Sequence, residues 1–174
     1  AMNFGTVRVS NPQSTATIVL GSDGEYGAKS NIATNTGQQS GIVNYTATSI
    51  FLLKTITAGT TSGTLTCSTS NTCSSCSISF DTMTVSPTSQ NFTGFFSSQT
   101  KPFNYGGKIT IPANCGYGSF SGSVIVSYTN NGSNSGSATL PITVVLEPQP
   151  VSVMVTQDLS FGVVLSTTTH DVVV

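Results

Sequence analysis

The pattern of apolar and polar residues along the chain predicts short β-strands separated by turns. Apolar residues recur at every second position in segments such as 15–20, 124–128 and 140–146, and the side chains of a strand alternate between two faces with that period. Gly, Ser and Asp cluster between such runs, as in 21–27. No segment has a clear helical pattern, and the runs recur about every ten residues. The sequence therefore predicts an all-β protein, an antiparallel β-sandwich.

The low content of charged residues is the most unusual feature of the composition. Only 6% of the 174 residues are charged and the net charge is −1, whereas about 25% of residues are charged in a typical soluble domain. The five basic residues are scattered, so no basic patch is available for nucleic acid. No apolar run approaches the ~20 residues that cross a bilayer. The segment 2–10 has a strand pattern, and we expect any export signal to have been removed already.

An even number of cysteines in a small β-rich chain predicts two disulfides and an oxidising compartment. The cysteines are Cys67, Cys73, Cys76 and Cys115. If the runs that contain Cys67 and Cys76 form a hairpin, strand alternation places these two residues opposite each other. That pairing leaves Cys73 for Cys115, although the other pairings stay open. A zinc site usually has two C-x2-C pairs and the chain has one, so we expect neither a metal nor another cofactor.

The opening of the chain has a counterpart near its end. The segment 2–10 is MNFGTVRVS and the segment 155–166 is VTQDLSFGVVLS, and in both a Phe-Gly pair is followed by β-branched residues. The segment 131–137, NGSNSGS, has the composition of a flexible linker or a long hairpin loop. We therefore predict a β-sandwich over 1–130, a linker over 131–137, and a strand with the opening of another subunit or domain over 138–174.

Several short motifs of the first 130 residues occur in the order found in a known family. The family pattern has Phe-Gly near its start, a Gly-Gly strand further on, and a motif like Gly-x-Tyr-x-Gly before a final strand that ends near a Tyr. The matching positions are Phe4, Gly5, Gly106, Gly107, Gly118, Gly122 and Tyr128, and Phe120 stands where a Tyr is common. On these motifs the segment 2–130 resembles a bacterial family of secreted, pilin-like β-proteins. The four cysteines are not part of that pattern.

The resemblance implies how the fold is completed. Members of the family usually carry an extended segment before the first Phe-Gly, and here only three residues precede it. A strand of that kind follows the linker instead, and a second Phe-Gly follows the strand. This order is similar to donor-strand complementation in chaperone–usher pili, in which the N-terminal extension of a neighbour completes an incomplete sandwich. The resemblance therefore implies an immunoglobulin-like sandwich completed by a C-terminal donor-like strand.

The resemblance also implies a function and a location. We expect a structural subunit of a bacterial surface fibre, exported through the periplasm to the cell surface and incorporated in a fimbrium. The expected partners are neighbouring pilus subunits, a periplasmic chaperone, an outer-membrane usher, and host or surface glycans, but no nucleic acid. We do not expect an enzyme, because the six carboxylates are spread along the sequence and His170 is the only histidine.

Two sets of alternating apolar residues are candidates for the donor-strand interface. The first set is Leu140, Ile142, Val144 and Leu146, and the second set is Val151, Val153 and Val155. The intervening EPQP segment separates them and the parity changes from even to odd, so one straight strand does not present both sets on one face. We predict that the first set fills the groove because it lies nearer the linker.

A carbohydrate-binding adhesin tip domain is the alternative function. Its candidate glycan contacts are Tyr26, Tyr45, Tyr105 and Tyr117. We favour the plainer interpretation that these tyrosines pack at strand ends with the hydroxyl group in water.

Overall fold

The fold is described by a computed structural model. The described residues are 1–49, 54–59, 61–68, 73, 76–93, 97–130 and 134–150. Within them twelve strands are formed: β1 (Met2–Val9), β2 (Ala16–Leu20), β3 (Tyr26–Ser30), β4 (Ile32–Thr36), β5 (Gly41–Ser49), β6 (Lys54–Ala58), β7 (Gly63–Cys67), β8 (Ser77–Ser86), β9 (Ser89–Phe92), β10 (Ser97–Ile111), β11 (Gly118–Asn130) and β12 (Asn134–Leu146). The predicted all-β class is confirmed. None of the described residues belongs to a helix long and apolar enough to span a membrane.

The strands form one mixed sheet. Its order is β3-β2-β10-β8-β7-β11-β12-β1-β4, with β5 on the first half of β10, β6 on the end of β11, and β9 on β6. The prediction that every pair is antiparallel is wrong at one place, because β1 and β12 run parallel. β12 enters the sheet as the second arm of a hairpin with β11, and that direction is also the direction of β1. Every other pair of strands described here is antiparallel.

The two ends of this strand path lie close together. β3 and β4 are the terminal strands, yet only Asn31 separates them in sequence. Asn31 has a φ of 59°, a left-handed conformation that asparagine tolerates better than most residues. In the interior, the rings of Phe4 on β1 and Phe80 on β8 lie 6.2 Å apart at 74°. Because three strands separate β1 from β8 in the sheet, this contact shows that the sheet curls around its apolar core.

The coarse strand predictions are confirmed, whereas part of the segment predicted as a linker forms a strand. β2 lies within the segment 15–20, and β7 pairs with β8 as the predicted hairpin. The last four residues of the predicted linker, 134–137, belong to β12 and pair with β11, up to Asn130 opposite Asn134. Strand pairing uses backbone groups, so small polar side chains do not prevent it. The division of the chain into two units stays a prediction.

Candidate functional site

The candidate site is the seam formed by β11, β12 and β1. β12 lies between the other two strands and has backbone partners along both edges. Leu140, Ile142, Val144 and Leu146 point inward and are each at most 5% exposed. The intervening Val145 is 38% exposed and faces outward. The first predicted set of apolar residues therefore belongs to the core, and the strict alternation in the sequence specifies which face is buried.

The register shows how far β12 reaches along its neighbours. Against β11 it pairs from Asn134 to Leu146. Against β1 the pairs run from Ile142 opposite Met2 to Leu146 opposite Val7. Ile142 and Leu146 thus have partners on both sides, and β12 completes the sheet where β1 and β11 would otherwise each have an open edge. An open edge beside an apolar face is a place where another strand readily adds.

The Phe-Gly motif has a structural role at this seam. The register between β1 and β12 shifts between Asn3 and Thr6, which is a bulge in β1. Gly5 has a φ of 71°, and its amide donates to Asn3 Oδ1 at 2.8 Å. A Cβ atom at Gly5 would lie 2.0 Å from the carbonyl oxygen of Thr36 on β4. Glycine is therefore required here, while the adjacent Phe4 is fully buried.

Polar contacts hold the segment that follows β12 against β1. The amide of Glu147 donates to the carbonyl oxygen of Val7 at 3.0 Å. Arg8 Nη2 lies 2.9 Å from Glu147 Oε2 in an ion pair that is partly exposed. The Gln149 side chain donates to the carbonyl oxygen of Val9 at 2.6 Å and also to the next carbonyl along the chain. The path of residues 147–149 is thus fixed beside β1.

The second predicted set of apolar residues is not described. Val151, Val153 and Val155 lie outside the described residues, as does His170. Their assignment to a donor-strand interface stays a prediction.

All four cysteines form disulfides, but the predicted pairing is wrong. The bridges join Cys67 to Cys73 and Cys76 to Cys115, with Cα–Cα distances of 5.6 and 5.3 Å. The hairpin itself was predicted correctly, but its last pair is Thr66 opposite Ser77, so Cys76 lies outside β8. Beyond that pair the amide of Cys76 donates to the carbonyl oxygen of Cys73, and the buried Cys73 is bonded to Cys67. Cys76 is then close to the connection between β10 and β11, where Cys115 lies.

Two of the four candidate glycan contacts are part of the core. Tyr45 is 5% exposed and Tyr105 is fully buried, and their hydroxyl oxygens lie 3.2 Å apart in a hydrogen bond. The Tyr45 ring also packs edge-on against Phe103 and Tyr128, at 5.0 and 4.7 Å between centroids. Burial raises the pKa of both Tyr45 and Tyr105. These rings have no free face for a sugar, so their assignment as glycan contacts is wrong.

The other two candidate tyrosines differ from each other. Tyr26 is half-buried, and its hydroxyl donates to the carbonyl oxygen of Phe4, tying β3 to β1. Burial raises the pKa of Tyr26 as well. Tyr117 is 49% exposed and lines a cavity at the end of the sheet where β12 ends. Of the four tyrosines, only Tyr117 offers substantial ring surface to solvent.

The described acidic residues do not come together. Among the described part of the chain no group of three or more His, Cys, Asp or Glu side chains is placed to hold a metal ion. Asp23 caps a turn by accepting from the amide of Glu25 at 3.0 Å. Asp81 Oδ1 lies 3.1 Å from Lys108 Nζ, and the two residues are opposite each other on the neighbouring strands β8 and β10. The carboxylates of Asp23 and Asp81 thus each make a local structural contact.

Comparison of the chain with protein-family models, with curated proteins and with solved structures finds no match. The described residues define an all-β domain with two disulfides, which is consistent with an extracellular or periplasmic protein. Its function is therefore inferred from the geometry of the seam.

Proposed function

We propose that the chain is a structural subunit of a bacterial surface fibre, assembled by donor-strand complementation. In this proposal the segment 1–130 is an incomplete immunoglobulin-like sandwich and β12 corresponds to the strand that a neighbouring subunit supplies. The observation that carries the proposal is the position of β12, which lies between β11 and β1 and fills the core with four alternating apolar side chains.

The amount of apolar surface that β12 buries supports the inference that the stability of the fold depends on this strand. Burying one large aliphatic side chain contributes about 1.5–3 kcal/mol, so four contribute ~6–12 kcal/mol. Small domains are stable by only about 5–15 kcal/mol in total. Without β12 the segment 1–130 should therefore be marginal at best, with an apolar groove between β1 and β11. A subunit that needs a strand from elsewhere is expected to have this property.

The direction of β12 supports the inference that, in a fibre, the strand at this position comes from another molecule. β12 and β1 are parallel, with Ile142 beside Met2 and Leu146 beside Val7. A segment joined directly ahead of Met2 would have to fill the groove and then run back over β1 to reach its start. Parallel neighbours need a crossover of about a dozen residues or more for that return. A strand on a short connection ahead of β1 therefore enters the groove of a second copy.

The remaining parts of the proposal follow from this assembly. The partners would be neighbouring subunits, a periplasmic chaperone that shields the open groove, and an outer-membrane usher. The fibre would lie on the bacterial cell surface, and the two disulfides fit export through an oxidising periplasm. The adhesin alternative has weaker support, because only Tyr117 of the four candidate tyrosines is well exposed.

The experiment that tests the proposal is complementation by a peptide. A chain ending at Asn130 is refolded alone and with a peptide of residues 134–150. We expect aggregation or a loose fold alone, and a one-to-one complex of full stability with the peptide. A peptide carrying Ile142→Asp should not complement, whereas a matched peptide carrying Val145→Asp should. A truncated chain that is monomeric and as stable as the full chain, or that binds both variant peptides equally, contradicts the proposal.

A further inference from the structure

An open apolar cavity lies at the end of the sheet where β12 ends. Its volume is about 520 Å³, and its lining includes Pro12, Ile111, Tyr117 and Leu146. Tyr117 is one of the most exposed large apolar side chains among the described residues. We call this the exit cavity, because the chain passes along its wall as it leaves β12. Apolar hollows of this kind on a protein surface usually mark a binding surface.

The course of the chain brings the next residues to this cavity. Glu147, Pro148 and Gln149 line it, and the contacts of Glu147 and Gln149 with β1 fix their path. A residue that precedes a proline is held in an extended conformation, and this applies to both Glu147 and Gln149. Pro150 therefore leaves in a defined direction beside the cavity, and 24 residues follow it in the sequence.

We propose that residues 151–155 of the chain bind in the exit cavity. The segment is Val-Ser-Val-Met-Val, and in an extended chain Val151, Val153 and Val155 share one face. Five extended residues span about 17 Å, so the segment reaches across the cavity from Pro150. An apolar face next to an apolar cavity removes both from water. The change from even to odd parity at EPQP then separates two binding faces. The first set of apolar residues fills the groove, and the second set covers the exit cavity.

The consequence is a defined joint after β12. If residues 151–155 are bound, only five residues separate this anchor from the second Phe-Gly at 161–162. Whatever domain begins there would be held close to the end of the sheet, in a restricted orientation. In the proposed fibre this joint would set the angle between consecutive subunits. That consequence rests on the proposed function, whereas the binding of residues 151–155 does not.

The test uses nuclear Overhauser effects in the full chain, between the Tyr117 ring and valine methyl groups labelled with carbon-13. We expect contacts between Tyr117 and at least one of Val151, Val153 and Val155. Val153→Asp should abolish them and raise the exchange rate of the Gly116 and Tyr117 amides about tenfold, since one valine is lost from an apolar site. Val173→Asp, a matched change further along the chain, should leave both readouts unchanged.

Three results would overturn the inference. They are the absence of valine contacts to Tyr117, equal effects of Val153→Asp and Val173→Asp, and contacts that appear only between differently labelled molecules. The last result would make a second copy the occupant of the exit cavity. The stability of β12, measured by amide exchange at 140–146, is followed in the same samples. Failure of the inference with β12 intact therefore leaves the proposed function standing.

Discussion

β12 and β4 are both strands beside β1, yet they differ in almost every other respect. β12 has backbone partners on both edges, and its four inward side chains are buried. β4 pairs with β1 alone, and none of its five residues is buried. The difference shows that two strands paired with the same neighbour can contribute very differently to the hydrophobic core. What makes β12 the candidate donor strand is the apolar face that it adds to the core.

Charge substitutions should give the largest difference between inward and outward positions. Ile142→Asp buries an unpaired carboxylate in the core and should cost on the order of 4 kcal/mol or more, enough to unfold many small domains. Val145→Asp on the outer face of the same strand, and Ala33→Asp on β4, should each cost less than about 1 kcal/mol. Urea unfolding of the three variants measures this. Equal losses at Ile142 and Val145 would contradict the assignment of the buried face.

The disulfides hold parts of the chain covalently, whereas β12 is held by burial and hydrogen bonds. The Cys76–Cys115 bridge spans 39 residues and the Cys67–Cys73 bridge spans 6. Loop-closure entropy then predicts a loss of ~4 kcal/mol on replacing the first pair by alanine and ~2 kcal/mol for the second. Non-reducing peptide mapping checks the pairing, and unfolding of the two double variants checks the order. A Cys67–Cys76 peptide would overturn the connectivity.

Gly5, in the bulge of β1, and Gly37, just after β4, both have a positive φ but should differ in the stability lost on substitution by alanine. Gly5→Ala should cost about 3 kcal/mol, because it adds a steric clash with the Thr36 carbonyl to an unfavourable backbone conformation. Gly37 has a φ of 76° but open space around its Cβ position, so Gly37→Ala should cost only about 1 kcal/mol. Thermal unfolding of both variants gives the difference. If Gly37→Ala lowers the stability as much as Gly5→Ala does, the steric role assigned to Gly5 in the bulge is contradicted.

A surface ion pair away from the seam should have the smallest effect. A hydrogen bond from Thr82, and then the neighbouring Lys108, lower the pKa of Asp81 below its usual value of 3.8. A lowered pKa means that this stabilisation is present above the unfolded-state value and is lost as pH falls through the folded-state value. Asp81→Asn should therefore cost under about 1 kcal/mol at pH 7 and remove a small part of the acid sensitivity. Urea midpoints between pH 7 and pH 2 measure it; a larger pH dependence in Asp81→Asn than in the parent would contradict the assignment.

The sequence was informative where a feature depends on local periodicity. The alternation from Leu140 to Leu146 predicts the buried face of β12, and the hairpin of β7 and β8 follows from the same rule. The parallel pairing of β12 with β1 could not be predicted, because it depends on contacts between residues about 140 positions apart. The predicted disulfide pairing is wrong because the last pair of the hairpin is Thr66 opposite Ser77, and Cys76 lies just outside it. Tyr45 and Tyr105 face the core because they occupy inward positions of β5 and β10. The identity of the residue alone does not predict which face of a strand it occupies.

The most direct test of the central claim is the molar mass of a rearranged chain. In this chain residues 134–147 are joined directly ahead of Met2 and the chain ends at Asn130; a matched control has a spacer of about fifteen Gly and Ser residues at the joint. Because β12 and β1 are parallel, the direct joint prevents the strand from filling its own groove. Head-to-tail binding then generates open chains. Light scattering after size-exclusion chromatography should show a ladder of oligomers for the direct joint and a folded monomer for the spacer control. A folded monomer from the direct joint would contradict donor-strand assembly.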